Sequence, residues 1–164
     1  MSKIWFRNED CFKTMEAMEK SNYKVDLVMT SPPYNTNKKA GKTRTLKNTS
    51  VKEGVRNYVR YDVFVDNFDD VGGYVQWSRN VLTSLEKVLN KNGVILYNMS
   101  YGSENTTDMF LVVADIIKHT NLTIQDCIIW KKSNAIPNNC SSNKLTRIVE
   151  YIFVFCRKGE EKNI

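Results

Sequence analysis

The sequence predicts an α/β fold, a sheet with helices on both faces, and three observations support that prediction. Two short, near-continuous apolar runs, Val25-Asp26-Leu27-Val28-Met29 and Val94-Ile95-Leu96-Tyr97-Asn98-Met99, have the length and β-rich content of buried strands. Segments with apolar residues at helical spacing precede and follow these runs, so strand and helix alternate along the chain. Two further β-branched and aromatic stretches, Leu122 to Trp130 and Ile148 to Cys156, close the sequence across the polar loop Lys131 to Arg147.

In chain order, Ile4-Trp5-Phe6 has strand composition and runs into the acidic turn Asn8-Glu9-Asp10. Cys11, Met15 and Met18 then share a helical face, with Asp10 as N-cap and Ser21-Asn22 as the stop. The apolar run from Val25 ends at Thr30-Ser31-Pro32-Pro33, a rigid loop. From Asn35 to Asp62 the composition turns basic, and apolar periodicity vanishes until Val55. Asp69 or Asp70 caps a helix whose face holds Tyr74, Trp77, Val81, Leu82, Leu85, Val88 and Leu89, and Gly93 is expected to end it in the left-handed conformation. Thr106 or Thr107 opens another helix, running through Phe110, Val113 and Ile116 to His119. Trp77 and Trp130 are expected in the core.

A chain of 164 residues, 41% hydrophobic, reads as one domain over residues 1–164 with a basic loop at about 35–62. Its formal charge of +6 favours a polyanionic partner. Cys11, Cys127, Cys140 and Cys156 include no CxxC pair, and His119 is the sole histidine, so zinc-finger and Ser-His-Asp readings lack parts and no metal site is expected. No run of 18 apolar residues is present, and Met1 to Arg7 is too short and too soon charged for a signal peptide. The expected location is cytoplasmic, away from membranes, with reduced thiols.

Chemistry concentrates in Thr30-Ser31-Pro32-Pro33-Tyr34-Asn35, at the carboxyl end of a strand, where open α/β sheets bind ligands. Adjacent prolines keep Ser31 and Pro32 extended and remove two backbone donors, which leaves a lip rich in acceptors. Such a lip suits the exocyclic amine of a nucleobase. The amine's lone pair is delocalised into the ring, and two acceptors holding its hydrogens favour a pyramidal, nucleophilic nitrogen. The Ser31 side chain and the Pro32 carbonyl are the candidate acceptors, and Tyr34 offers a face on which a flipped base stacks. On the tetrapeptide alone, a stiff turn with no catalytic duty explains these residues equally well.

The ordered set of motifs resembles the DNA amino-methyltransferases that modify adenine N6 or cytosine N4, in the permuted arrangement with the catalytic motif early. Asn8-Glu9-Asp10-Cys11 is similar to the family's acidic turn, Val25 to Asn35 to its catalytic motif, and Trp77 to Asn98 to the helix and strand that follow. Ile129 to Asn138, Thr146-Arg147 and Glu150 to Phe155 are similar to its penultimate loop and hairpin. The resemblance implies a Rossmann-like methyltransferase sheet, S-adenosylmethionine as cofactor and double-stranded DNA as partner. It implies direct methyl transfer without a covalent enzyme intermediate, with Ser31, Pro32, Pro33 and Tyr34 as the catalytic residues and Asp10 near the cofactor. Serine at the first motif position leans toward cytosine N4. Lys38, Lys39, Lys42, Arg44 and Lys47 are placed on DNA phosphates, and Asn134 and Asn138 beside the target base.

One part of the family pattern is missing: the Phe-x-Gly-x-Gly turn that binds the cofactor. None of the seven glycines forms a Gly-x-Gly. The resemblance therefore implies an incomplete sheet, with the catalytic strands and the terminal hairpin present and the cofactor-binding strands absent. An unpaired edge and exposed apolar surface should follow, as should a second polypeptide that supplies the glycine turn. Two alternatives stand beside this reading. One is a non-catalytic DNA-binding remnant; the other is a methyltransferase of another planar nitrogen, an RNA base or a glutamine amide. Glu150, amid apolar strand residues, requires a partner, with Arg147 the candidate.

Overall fold

The computed structural model describes residues 3–35, 68, 70–100, 106–133 and 148–161. In chain order the elements are α1 (Cys11–Lys20), β1 (Val25–Thr30), α2 (Val71–Lys87), β2 (Leu89–Met99), α3 (Asp108–His119), β3 (Leu122–Lys131) and β4 (Val149–Arg157). The four strands form one mixed sheet in the order β1-β2-β4-β3. β1 runs parallel to β2, while β4 is antiparallel to both β2 and β3.

Local signals account for the helix starts. The Asp10 carboxylate accepts from Phe12 N at 2.8 Å and the Asp70 carboxylate from Gly73 N at 2.7 Å, each satisfying an amide that the first turn leaves unpaired. At the other end of α2, Arg157 of β4 donates to the carbonyls of Glu86, Leu89 and Asn90, so a guanidinium takes the acceptors that the helix leaves open.

Register sorts the sheet into two faces. Ile95 lies beside Phe155, and Tyr97 beside Phe153, and these side chains form the core with Tyr74 and Leu82 of α2 and Met109, Val112 and Ile116 of α3. α2 packs against both α1 and α3, so the described helices make a single layer on one face of the sheet. That corrects the expectation of helices on both faces. Alternation along β2 sends Val94, Leu96 and Asn98 to the opposite face.

β1 is likewise not the doubly buried strand that its apolar run suggests. Among the described residues no strand pairs with its outer edge, and Leu27 and Met29 stand 50% and 72% exposed. Ile4-Trp5-Phe6 forms no strand, and all three side chains are exposed. A β-rich segment with no neighbouring edge to join gains nothing from extension, since ladder hydrogen bonds require a partner. Trp130, expected in the core, is 51% exposed on the outermost strand, whose distal half lies open.

Gly93 does not end a helix. α2 stops at Lys87, and Gly93 lies within β2, where the left-handed backbone belongs to Asn92 at φ 60°. The register passes from Val25 beside Leu89 to Leu27 beside Val94, so Asn90 to Gly93 bulge opposite Asp26. A Cβ on Gly93 would stand 3.1 Å from the Asn90 carbonyl oxygen and 3.2 Å from those of Asp26 and Val25. All three are backbone atoms and cannot swing aside. Gly93→Ala is expected to cost about 1–3 kcal/mol, as overpacking does elsewhere, and equilibrium urea unfolding should show a lower midpoint at unchanged slope.

Candidate functional site

The segment Ser31 to Asn35 leaves the carboxyl end of β1 as a lip secured on two sides. On the helix side, the Tyr74 phenol donates to the Pro33 carbonyl at 2.9 Å. Asn35, buried at φ 52°, donates through Nδ2 to Asp108 Oδ2 at 2.9 Å and accepts from Phe68 N at 3.3 Å. Asparagine is among the few side chains that tolerate this left-handed backbone. The lip is thereby tied to the first residue of α3 and to α2.

On the sheet side, Ser31 Oγ and Tyr34 Oη lie 2.6 Å apart. Asn98, near the end of β2, donates through Nδ2 to Tyr34 Oη at 2.9 Å, to Glu150 Oε2 at 2.8 Å and more distantly to Ser31 Oγ at 3.4 Å. Glu150, in β4, is buried and also accepts from Lys132 Nζ, just beyond β3. Side chains from around all four strands thus meet beside one lip.

Electrostatics reinforce this arrangement. Burial pushes the Tyr34 phenol above its ordinary pKa; the bond with Ser31 opposes this, and the Glu150 charge adds to it. The phenol therefore stays protonated at neutral pH. Burial also pushes the Glu150 carboxyl upward, but the hydrogen bonds from Lys132 and Asn98 and the Lys132 charge outweigh it, and the net position is below the usual value. Glu150 is a carboxylate at neutral pH.

Of the two acceptors singled out in the sequence, Ser31 is exposed and Pro32 buried; Pro33 and Tyr34 are half-buried. Asp10 sits at the start of α1, exposed, with one oxygen on Phe12 N. Lys38, Lys39, Lys42, Arg44, Lys47, Asn134 and Asn138 lie outside the described residues, as does Arg147. Among the described residues no group of three or more His, Cys, Asp or Glu could hold a metal ion. Nor, among them, is any helix long and apolar enough to cross a membrane.

Comparison with known proteins identifies the family. The DNA methylase family model for N6/N4 enzymes matches residues 25–164, a span that holds all four described strands. The chain belongs to the N6/N4 DNA methylase family.

Solved structures match the fold of this methylase chain. The PvuII DNA methyltransferase, cytosine-N4-specific, superposes with a TM-score of 0.61 at 18% identity, over 93% of this chain and 48% of that one. The M1.HpyAVI-SAM complex superposes with a TM-score of 0.53 at 19% identity, over 93% of this chain and 54% of that one. The methylase chain spans about half the length of these structures. No curated protein sequence gives a significant match.

Several residues around the methylase lip escape a reading of the sequence alone. Asn98 and Lys132 lie in stretches that carry the family resemblance but are not singled out there, Asp108 lies in none, and only register and helix placement bring the three to the lip. Glu150 did carry a signal, a lone acid in an apolar strand. Its described cation partner is Lys132, and the expected Arg147 lies outside the described residues.

Proposed function

We propose that this chain is the catalytic, target-base-binding part of a DNA amino-methyltransferase, one domain whose basic loop at about 35–62 closes over double-stranded DNA. The observation that supports this reading best is the lip itself: Ser31 and Tyr34 stand at a strand end with their oxygens 2.6 Å apart and anchored through Asn98. A flipped base stacks on the Tyr34 ring, whose orientation the tethered phenol limits. Ser31 Oγ and the Pro32 carbonyl take the two hydrogens of the exocyclic amine, so the nitrogen lone pair is released from the ring and turned outward. Serine at the lip slightly favours cytosine N4 over adenine N6. Lys38, Lys39, Lys42, Arg44 and Lys47 neutralise phosphates, and Asn134 and Asn138 border the base.

S-adenosylmethionine is the methyl donor that this reading calls for, but the described residues do not assemble a site for it. There is no Gly-x-Gly turn, and Asp10 has one oxygen engaged in capping α1. Beside the lip, the outer edge of β1 has no described partner strand, so further strands could pair there. The proposed remedy is a segment that carries the glycine turn and extends the sheet at β1, whether in the same polypeptide or in a second one. The residues described here then bind and orient the amine, and that segment holds the donor.

The deciding experiment is mass spectrometry of nucleosides from DNA incubated with S-adenosylmethionine and the purified chain, alone and with lysate of its native host. Methylcytosine or methyladenine formed only with lysate, and lost with Ser31→Ala or Tyr34→Ala, supports the reading and names the base. Product from the chain alone overturns the need for a partner. DNA binding that survives Tyr34→Ala, with no product in either mixture, points to a non-catalytic remnant, a reading that the missing glycine turn favours. Label on RNA or on a glutamine amide instead would move the reaction to another planar nitrogen.

A further inference from the structure

We propose that Glu150 is a positioning residue for the lip: its carboxylate, paired with Lys132, fixes the Asn98 carboxamide with Nδ2 toward Tyr34 and Ser31, and so sets which oxygens await the amine. This inference rests on the function proposed for the lip and adds to it a chain of control behind the Ser31–Tyr34 pair. An ionised carboxylate only accepts hydrogen bonds. The group of Asn98 that faces Glu150 Oε2 at 2.8 Å must therefore be its NH2, and the same nitrogen lies 2.9 Å from Tyr34 Oη. The reverse orientation would set a carbonyl oxygen against a carboxylate. Asn98 Oδ1 is buried without a hydrogen-bond donor among the described residues, an arrangement that the carboxamide would not choose on its own.

Direction then propagates along the chain of bonds. Tyr34 Oη accepts from Asn98, and its own proton points to Ser31 Oγ, 2.6 Å away, because a phenol is a far stronger acid than an alkyl alcohol. Ser31 Oγ is thereby held by a donor, and its second lone pair, which Asn98 Nδ2 approaches only to 3.4 Å, is the one an incoming amine hydrogen would take over. Among the described residues, the titratable groups coupled to Glu150 are Lys132, beyond β3, and Tyr34, after β1. Lys132 is partly exposed and Glu150 is not, so the ion pair spans the boundary between solvent and the buried bonds.

The sign of the pH effect follows. The carboxyl of Glu150 lies below its usual value in the folded chain, so the network is intact above the ordinary carboxylate range and is lost as pH falls through the lowered value. Lys132→Met removes the cation but leaves the burial, which moves that loss to higher pH. Neither substitution empties core volume: Glu150→Gln is nearly isosteric, and the Lys132 side chain is 41% exposed.

The test is NMR of the 15N-labelled chain, with the Asn98 side-chain amide assigned from its disappearance in Asn98→Ala. In the wild type the Asn98 NH2 protons should exchange with solvent at least about tenfold more slowly than those of an exposed asparagine. They should also report one titration step below the usual carboxylate range. Glu150→Gln should abolish the step, and Lys132→Met should move it to higher pH. An Asn98 amide with the same exchange and pH response in all three proteins overturns the proposal. In a mixture that methylates DNA, Glu150→Gln should lower kcat about 10- to 100-fold with KM for DNA unchanged, the pattern of a misplaced reacting group. An altered amide with wild-type kcat overturns the positioning role. If the amide behaves as expected and no mixture methylates DNA, the methyltransferase reading fails by itself, and the proposal with it, while the hydrogen-bond chain stands.

Discussion

Ser31→Ala should lower methyl transfer by about 10²- to 10³-fold, the scale on which losing one preorganised hydrogen-bonding group in an active site is felt. Its fold should not suffer. Ser31 is exposed, and among the described residues its Oγ bonds Tyr34 and, at 3.4 Å, Asn98, so the stability change should stay within about 0.5 kcal/mol, as for surface substitutions generally. Kinetics in whichever preparation methylates DNA, set beside thermal unfolding of the same variant, separate the two effects. Tyr34→Phe provides the contrast: it keeps the ring for stacking and deletes the oxygen that joins Ser31 to Asn98. If Ser31 acts as an acceptor for the amine, its loss falls on kcat, and KM for DNA moves little. A wild-type rate for Ser31→Ala would remove it from the site.

What the sequence makes legible here is local, and what it hides depends on register. Asp10 and Asp70 announce helix starts because a cap acts on an amide two or three residues away. The lip is legible for the same reason, since two adjacent prolines impose their geometry without help. Gly93 misleads because the bulge within β2 contains two candidates for a left-handed backbone, and Asn92 takes it; the glycine answers instead to the carbonyl of Asn90 and to carbonyls of β1, far earlier in the chain. β1 reads as buried because apolar composition records the sheet a strand is made for, whereas Leu27 and Met29 lie on the face of Val94 and Leu96, which no described helix covers. Asn98 and Glu150 are 52 residues apart, and nothing in either neighbourhood signals the other. Only the antiparallel pairing of β2 with β4 sets them side by side.

Asn35→Ala should destabilise the fold by about 2–5 kcal/mol, the sum of backbone strain and the loss of a hydrogen bond to a buried carboxylate. Alanine at φ 52° suffers a Cβ clash of about 1–2 kcal/mol in a conformation that asparagine tolerates better. More of the cost comes from the Asp108 carboxylate, buried at the start of α3, which would lose the amide that bonds it at 2.9 Å. Asn35→Gly relieves the strain and still loses the bond, so it should recover about 1 kcal/mol relative to alanine. Urea denaturation of the three proteins measures both contributions. Equal stability for alanine and glycine would mean that the backbone conformation is not strained. Wild-type stability for both would mean that the bond to Asp108 does not hold the lip. With the expected losses, the lip is shown to be fastened to α3 independently of Asn98, so that its position is set by the helix layer and its hydroxyl directions by the sheet.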